Sequence, residues 1–200
     1  MVQNMKTEKR SEIKYVFNNK ELNNFISSYN LDEALYPDRL ISSIYFDTIN
    51  FDLYKNCLFQ DSDNYKVRIR YYNNNLAKLS KEVKYTKPNG KSKSIKKLDL
   101  NSELPSTVIF KNQLLKQASK VEYKRQYYKF NNSRITIDTN IHYMSVNYRT
   151  YVTKNINENL NIVEFKLLKE NNFEIFNDLP SSPTSYSKFK QSIKKLYNIY

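Results

Sequence analysis

The chain has 200 residues, 40% of them hydrophobic, and carries 33 Lys and Arg against 20 Asp and Glu, a formal net charge of +13. That is enough for one domain with a real core, and the charge calls for an anionic partner: nucleic acid, a membrane surface or a phosphate-rich small molecule. The single cysteine, Cys57, excludes an internal disulfide framework, and the single glycine, Gly90, excludes a glycine-rich phosphate loop.

Taken in chain order, "MVQNMKTEKR" is charged and is not followed by an apolar stretch, so a signal peptide is not expected. "KRSEIKYVF" (9–17) alternates and predicts a strand. In 18–30, Leu22, Phe25, Ile26 and Tyr29 fall at helical spacing, with Asn18 or Asn19 as the cap. "RLISSIYFDT" (39–48) is β-rich, and "NFDLYKNCL" (50–58) predicts a short helix that includes Cys57. "YKVRIRYY" (65–72) alternates strictly, with Lys66, Arg68 and Arg70 on one parity and Val67, Ile69 and Tyr71 on the other. Strands are also expected over 76–87 and 91–100, joined by a turn at "PNG", and a helix over 108–117. A hairpin turning on "NN" joins 120–130 to 133–138, and further strands follow at 143–152 and 159–169. "SYSKFKQSIKKLY" (185–197) predicts a terminal helix whose Phe189, Ile193 and Leu196 pack inward while most of its lysines are solvated. Asn is abundant and is expected to take the turn positions, because it tolerates positive φ.

The pattern has about eight strands and no βαβ rhythm, so the fold class is mainly β, antiparallel, with peripheral helices. Neither a repeat nor a linker interrupts it, and a single domain over residues 1–200 is expected. No apolar run reaches the length of a membrane span. Together with the lone cysteine this leads to the expectation of a cytosolic protein.

The ionic parity recurs. Arg10, Glu12 and Lys14 share one side of the first strand. Ser80, Glu82 and Lys84 share a side of 76–87. Arg134, Thr136 and Asp138 oppose Ile135 and Ile137, and Glu164 and Lys166 oppose Val163, Phe165 and Leu167. One such strand is ordinarily the solvated outer face of an antiparallel sheet. Five of them leave a second possibility: the ionic faces line an interior, and the apolar faces are covered by helices and loops. A dry interior of like charges would be untenable. A wet one occupied by a polyanion is reasonable, with Arg forks and Lys ammonium groups on phosphate oxygens and carboxylates on a divalent metal.

In this order the motifs resemble a known family. "RSEIKY", "ISSIYFDT" with "FDLY", "KVRIRYY", "EVKY", "KSIKK", "YKRQYY", "RITIDTNI", "VEFKLL" and "SKF" are similar to the triphosphate tunnel metalloenzymes. Among them the likeness is to the polyphosphate polymerase domain of the vacuolar transporter chaperone (VTC) type. The resemblance implies a closed antiparallel eight-stranded β-barrel forming a triphosphate tunnel, with a C-terminal helix. Carried over motif by motif, the phosphate-binding cations would be Lys14, Arg68, Arg70, Lys84, Lys96, Arg125, Arg134 and Lys188. Glu164 would hold Mn2+ or Mg2+. Arg10, Glu12, Lys66, Glu82, Asp138 and Lys166 would complete the wall. Lys96 is adjacent to Lys97, and a slip of one residue would turn it to the other face. Tyr45 is read as packing and Asp47 as a cap for the helix that follows.

The activity implied is transfer of the γ-phosphate of ATP to a growing polyphosphate chain. A triphosphatase, with Glu12 or Glu82 orienting water, would use the same residues. A polyphosphate or nucleotide sensor would keep the arginines without needing Glu164. A nucleic-acid groove is disfavoured, because the cations alternate with carboxylates. A membrane-protein partner is compatible with the resemblance. His142, the only histidine, is read as an ordinary strand-end residue.

Overall fold

A computed structural model describes residues 11–31, 34–59, 63–87, 90–98, 104–130, 133–146, 153–167 and 179–199. The elements are β1 (Ser11–Phe17), α1 (Asn19–Ser28), β2 (Ala34–Asp47), α2 (Asp52–Asn56), β3 (Asn64–Tyr72), β4 (Leu79–Lys87) and β5 (Gly90–Leu98). They are followed by β6 (Thr107–Phe110), β7 (Gln113–Phe130), β8 (Ser133–Met144), β9 (Asn155–Glu158), β10 (Asn161–Leu167) and α3 (Lys188–Tyr197). Hydrogen bonding orders eight of the strands β1-β10-β8-β7-β2-β3-β4-β5, with β6 on β7 and β9 on β8. The fold is mainly β and antiparallel, as the alternation predicts. The order ends on β1 and β5, so closure of the barrel remains an implication of the resemblance.

The chain divides into two compact units, neither a contiguous segment. The first comprises Met1–Asp38, Arg125–Thr139 and Asn159–Tyr186; the second comprises Arg39–Lys124, Asn140–Glu158 and Ser187–Tyr200. The long strands β2, β7 and β8 contribute to both, which is why no composition change along the sequence marks a boundary.

In the first unit β10 lies between β1 and β8. Their apolar parity (Tyr15, Phe17, Ile135, Ile137, Val163, Phe165) forms one core with Leu22 and Phe25 of α1. The Phe25 ring stands 5.5 Å from Phe17 and 5.9 Å from Phe165. Asn18 caps α1 through a reciprocal box with Glu21, so the helix begins where the first amide donors find an acceptor.

In the second unit β2, β3, β4 and β5 form a meander. Its apolar parity (Ile44, Phe46, Val67, Ile69, Val83) packs with Leu115 of β7 and with Val108 and Phe110 of β6. In both units, then, an apolar core is covered on one side of the strands, and the ionic parity faces the other way.

The helix expected over 108–117 is instead the β6–β7 hairpin. Lys111 and Asn112 take φ of 47° and 59°, the left-handed pair of a two-residue turn. The run "VIF-KN-QLL" places its apolar residues at spacings a helix can also use, and the turn residues decided the outcome. The expectation for asparagine holds: six of the eight described non-glycine residues with positive φ are asparagine, while residues 88–89 of the "PNG" turn and 131–132 of the "NN" turn lie outside the described residues. Gly90 opens β5 at φ +140°, a conformation side chains rarely adopt. The strand expected over 143–152 continues β8 only to Met144, and 147–152 lie outside the described residues. No helix among the described residues is long and apolar enough to cross a membrane.

Candidate functional site

The ionic parity is not a solvated surface. Arg68, Arg70, Glu82, Thr136, Asp138 and Glu164 are all buried, with between 0% and 8% of their surface exposed. Five consecutive residues of β3, 67–71, are buried, so both faces of that strand are covered. The two units carry separate constellations.

In the second unit the cross-strand register sets Tyr45, Arg68 and Glu82 in one row, and Ser43, Arg70 and Ser80 in the next. Glu82 Oε2 accepts from Arg68 Nε at 2.8 Å and from Nη2 at 2.5 Å, while its Oε1 lies 3.0 Å from Lys93 Nζ. Burial pushes the Glu82 carboxyl up, but Arg68, Arg70 and Lys93 outweigh it and hold its pKa down at about 2. Arg68 also donates to the Tyr45 hydroxyl at 3.2 Å. Tyr45 therefore does more than pack: its ring lies 5.1 Å from Phe189, and its oxygen orients an arginine.

Arg70 is different. Its Nε donates to Ser43 Oγ and its Nη2 to Tyr123 Oη, each at 3.0 Å, and no carboxylate among the described residues pairs with it. It is a buried guanidinium held only by neutral acceptors. Lys188, the first residue of α3, lies 4.4 Å above the Tyr123 ring. Lys66 and Lys84 face each other on the same side.

Lys96 is corrected by the register. The two-residue connection between Lys87 and Gly90 pairs Lys81 with Lys96, Lys84 with Lys93 and Ser80 with Lys97. Lys96 thus falls on the parity of Ile69 and Val83, and Lys93 and Lys97 share that of Arg68 and Arg70. Counting pairs outward from the "PNG" turn finds this, because a two-residue loop sets the register. Of the α3 lysines expected to be solvated, Lys190 donates to the Cys57 carbonyl at 3.5 Å and Lys195 pairs with Glu158 at 2.5 Å.

In the first unit Glu164 stands between Lys14 and Thr136 in register, and Lys166 between Glu12 and Arg134. Glu164 meets Lys166 at 3.2 Å and Lys14 at 3.9 Å, and Lys166 also meets Glu12 at 3.1 Å. Burial raises the Glu164 pKa, but Lys14, Lys166 and Arg125 together bring it down to about 2. Arg125 grips Asp138 with two hydrogen bonds, 2.5 and 2.7 Å. Arg134 has no carboxylate partner among the described residues; its Nε and the Thr136 hydroxyl are buried without a hydrogen-bond partner. A buried orphan donor next to a buried orphan hydroxyl is a costly arrangement for an empty protein and a natural one for a site that receives oxygen ligands. Thr136 lies inside the "RITID" motif on the ionic parity, which was the available signal for it. Arg10 lies outside the described residues.

For a divalent metal the donor set is thin. Among the described residues no group of three or more His, Cys, Asp and Glu side chains is placed to hold one. Glu164 offers an ionised, buried carboxylate, and Thr136 stands opposite it with a free oxygen. A hard cation such as Mg2+ wants about six oxygens. These donors fit an ion that shares the oxygens of a bound phosphate, and do not fit one held by protein alone.

Asp47 caps α2 from outside the helix. Its Oδ1 accepts from the Leu53 and Thr48 amides at 2.8 Å, and its Oδ2 accepts from Tyr54 at 2.9 Å. His142 lies apart from Arg70. It borders a cavity of about 430 Å³ together with Glu122 and Lys124. Glu122 bonds Ser42, and both residues are one position out of phase with the Tyr123 and Ser43 that hold Arg70.

Strands that bury arginines and carboxylates on the side away from their apolar cores are what the resemblance to the triphosphate tunnel metalloenzymes implies. Solved structures of similar fold include a candidate adenylate cyclase from Bacillus halodurans, at TM-score 0.52 and 17% identity over 96% of this chain and 91% of that one. Another is a candidate adenylyl cyclase from Hippeastrum, described as having a dominant triphosphatase activity, at TM-score 0.56 and 12% identity over 94% and 96%. The PH1819 protein of Pyrococcus horikoshii OT3 matches at TM-score 0.54 and 13% identity over 94% and 98%. At such identities the likeness is one of fold. No curated protein matches the sequence. The VTC domain family matches residues 6–104 and 96–197, and the chain belongs to that family.

Proposed function

We propose that the protein is a nucleotide-dependent polyphosphate polymerase. The bond between the γ-phosphorus of ATP and its bridging oxygen breaks, a bond from that phosphorus to a terminal oxygen of the polyphosphate acceptor forms, and ADP leaves. The observation that carries the reading is the buried Arg70 guanidinium, together with the buried, unbonded Nε of the half-buried Arg134, neither with a carboxylate among the described residues to neutralise it. Such charges are costly unless an anion is the normal occupant. Phosphoryl transfer asks the protein mainly for alignment and charge neutralisation. Arg70 and Arg134 would supply uncompensated charge. Arg68 and Arg125, locked on Glu82 and Asp138, would present rigid donors. Lys14, Lys84 and Lys188 would add point charges. A Mn2+ or Mg2+ shared between Glu164 and the phosphates would draw charge from the phosphoryl oxygens.

Hydrolysis by the same residues needs a base for water. Glu82, held near a pKa of about 2 and engaged by Arg68 and Lys93, is a poor one. Glu12 is engaged by Lys166. Both favour phosphate over water as acceptor. The test is phosphorus NMR of the protein with ATP and Mn2+. Internal-chain phosphate growing with ADP is the expected result. Orthophosphate alone would make the protein a triphosphatase, and unchanged ATP beside retained polyphosphate binding would make it a sensor.

A further inference from the structure

We propose that Tyr123 is the positioning residue of the second unit's cationic face, aiming Arg70 with its hydroxyl and seating Lys188 on its ring. The inference rests on the phosphate-binding reading above. A guanidinium carries five N–H donors in one plane. Ser43 and Tyr123 take one each, from Nε and Nη2, which sets the plane and leaves the remaining donors for a ligand. Both acceptors are neutral, so Arg70 is oriented without losing its charge. Arg68 shows the contrast, since Glu82 orients it and cancels its charge. The Tyr123 ring then does a second task. Its face attracts the Lys188 ammonium at 4.4 Å. One side chain from β7, itself 2% exposed, thereby fixes the spacing between a cation from β3 and one from α3.

The experiment is calorimetric binding of inorganic tripolyphosphate to the full chain and its variants, with thermal unfolding of each. Tyr123→Phe keeps the ring and removes only the oxygen. It is expected to weaken binding about tenfold, the scale of one hydrogen bond to a charged group, with Tm unchanged. In the Arg70→Ala background the same change should add nothing, since the oxygen acts through Arg70. Tyr123→Leu, which also removes the seat of Lys188, should weaken binding further than Tyr123→Phe. The Arg70 Nε–Hε NMR resonance, assigned by its loss in Arg70→Ala, should be sharp in the parent and broadened in Tyr123→Phe. Unchanged affinity in Tyr123→Phe, where Arg70→Ala binds weakly, overturns the inference and leaves the phosphate reading intact. Unchanged affinity in Arg70→Ala overturns the phosphate reading itself. A loss of affinity in Tyr123→Phe that persists undiminished in the Arg70→Ala background makes Tyr123 a merely structural residue.

Discussion

Two arginines two residues apart on β3 are buried to nearly the same degree, yet one is neutralised and the other is not. The physical consequences are opposite, and so are the expected effects of substitution. Arg70→Ala removes an unpaired buried charge, so stability should hold or rise, while tripolyphosphate affinity falls by about 100-fold, the scale of a charge-assisted bidentate contact. Glu82→Ala strands Arg68 in the interior and should cost about 3–5 kcal/mol in urea unfolding. Parallel affinity and unfolding measurements on the two variants check the division. The carboxylates also set a pH dependence. Glu82 and Glu164 are both held at about 2 in the folded state, below their ordinary value. A depressed pKa contributes stability that is present above the unfolded value and lost as pH falls through the folded one. Unfolding free energy should therefore be flat from neutrality to about pH 5 and decline steadily toward pH 2, with a shallower decline in Glu164→Gln.

At the scale of elements, the clearest case is α2, a helix of five residues whose own N-cap, Phe51, makes no side-chain cap. Asp47, fully buried at the end of β2, stands in for it by accepting three backbone amides. Asp47→Ala should cost about 2–4 kcal/mol, since it removes charge-assisted bonds and leaves buried donors unsatisfied. Loss of α2 should be visible in amide exchange at Leu53 and Tyr54. This role was legible in "YFDT–FDLY", because an acid just before a helical run is a capping signal. Lys96 was not legible from motif likeness, because face is a matter of parity, and parity across a hairpin depends on the turn. Tyr123 was not legible either: in sequence it is one tyrosine among eighteen. Only the packing of β7 against Arg70 and Lys188 distinguishes it.

For the whole molecule the net charge of +13 is a standing self-repulsion that a polyanion relieves. Tripolyphosphate at about 100 times its Kd should stabilise the protein by about 2.7 kcal/mol, and raising salt should erode that gain by screening and by weakening binding. Mn2+ alone should give little stabilisation, since Glu164 and Thr136 supply too few ligands. Mn2+ with tripolyphosphate should give more than the sum of the two, and Glu164→Gln should remove the excess. Thermal shift across these four conditions distinguishes a shared ion from a resident one.

The alternation of ionic and apolar residues by itself determined the strands and their two faces, because a period of two is a local property of extended backbone. The scarcity of glycine excluded a glycine-rich phosphate loop, which leaves side chains as the groups that would hold a phosphate. Whether the ionic faces meet water or the interior is not a local property. It depends on α1 and the β6–β7 hairpin taking the apolar sides, and on the burial of Arg68, Arg70 and Glu164 that goes with it. Tertiary structure alone also decided which cations keep their charge. Glu82 and Asp138 reach Arg68 and Arg125 across the strands, and no carboxylate among the described residues reaches Arg70 or Arg134.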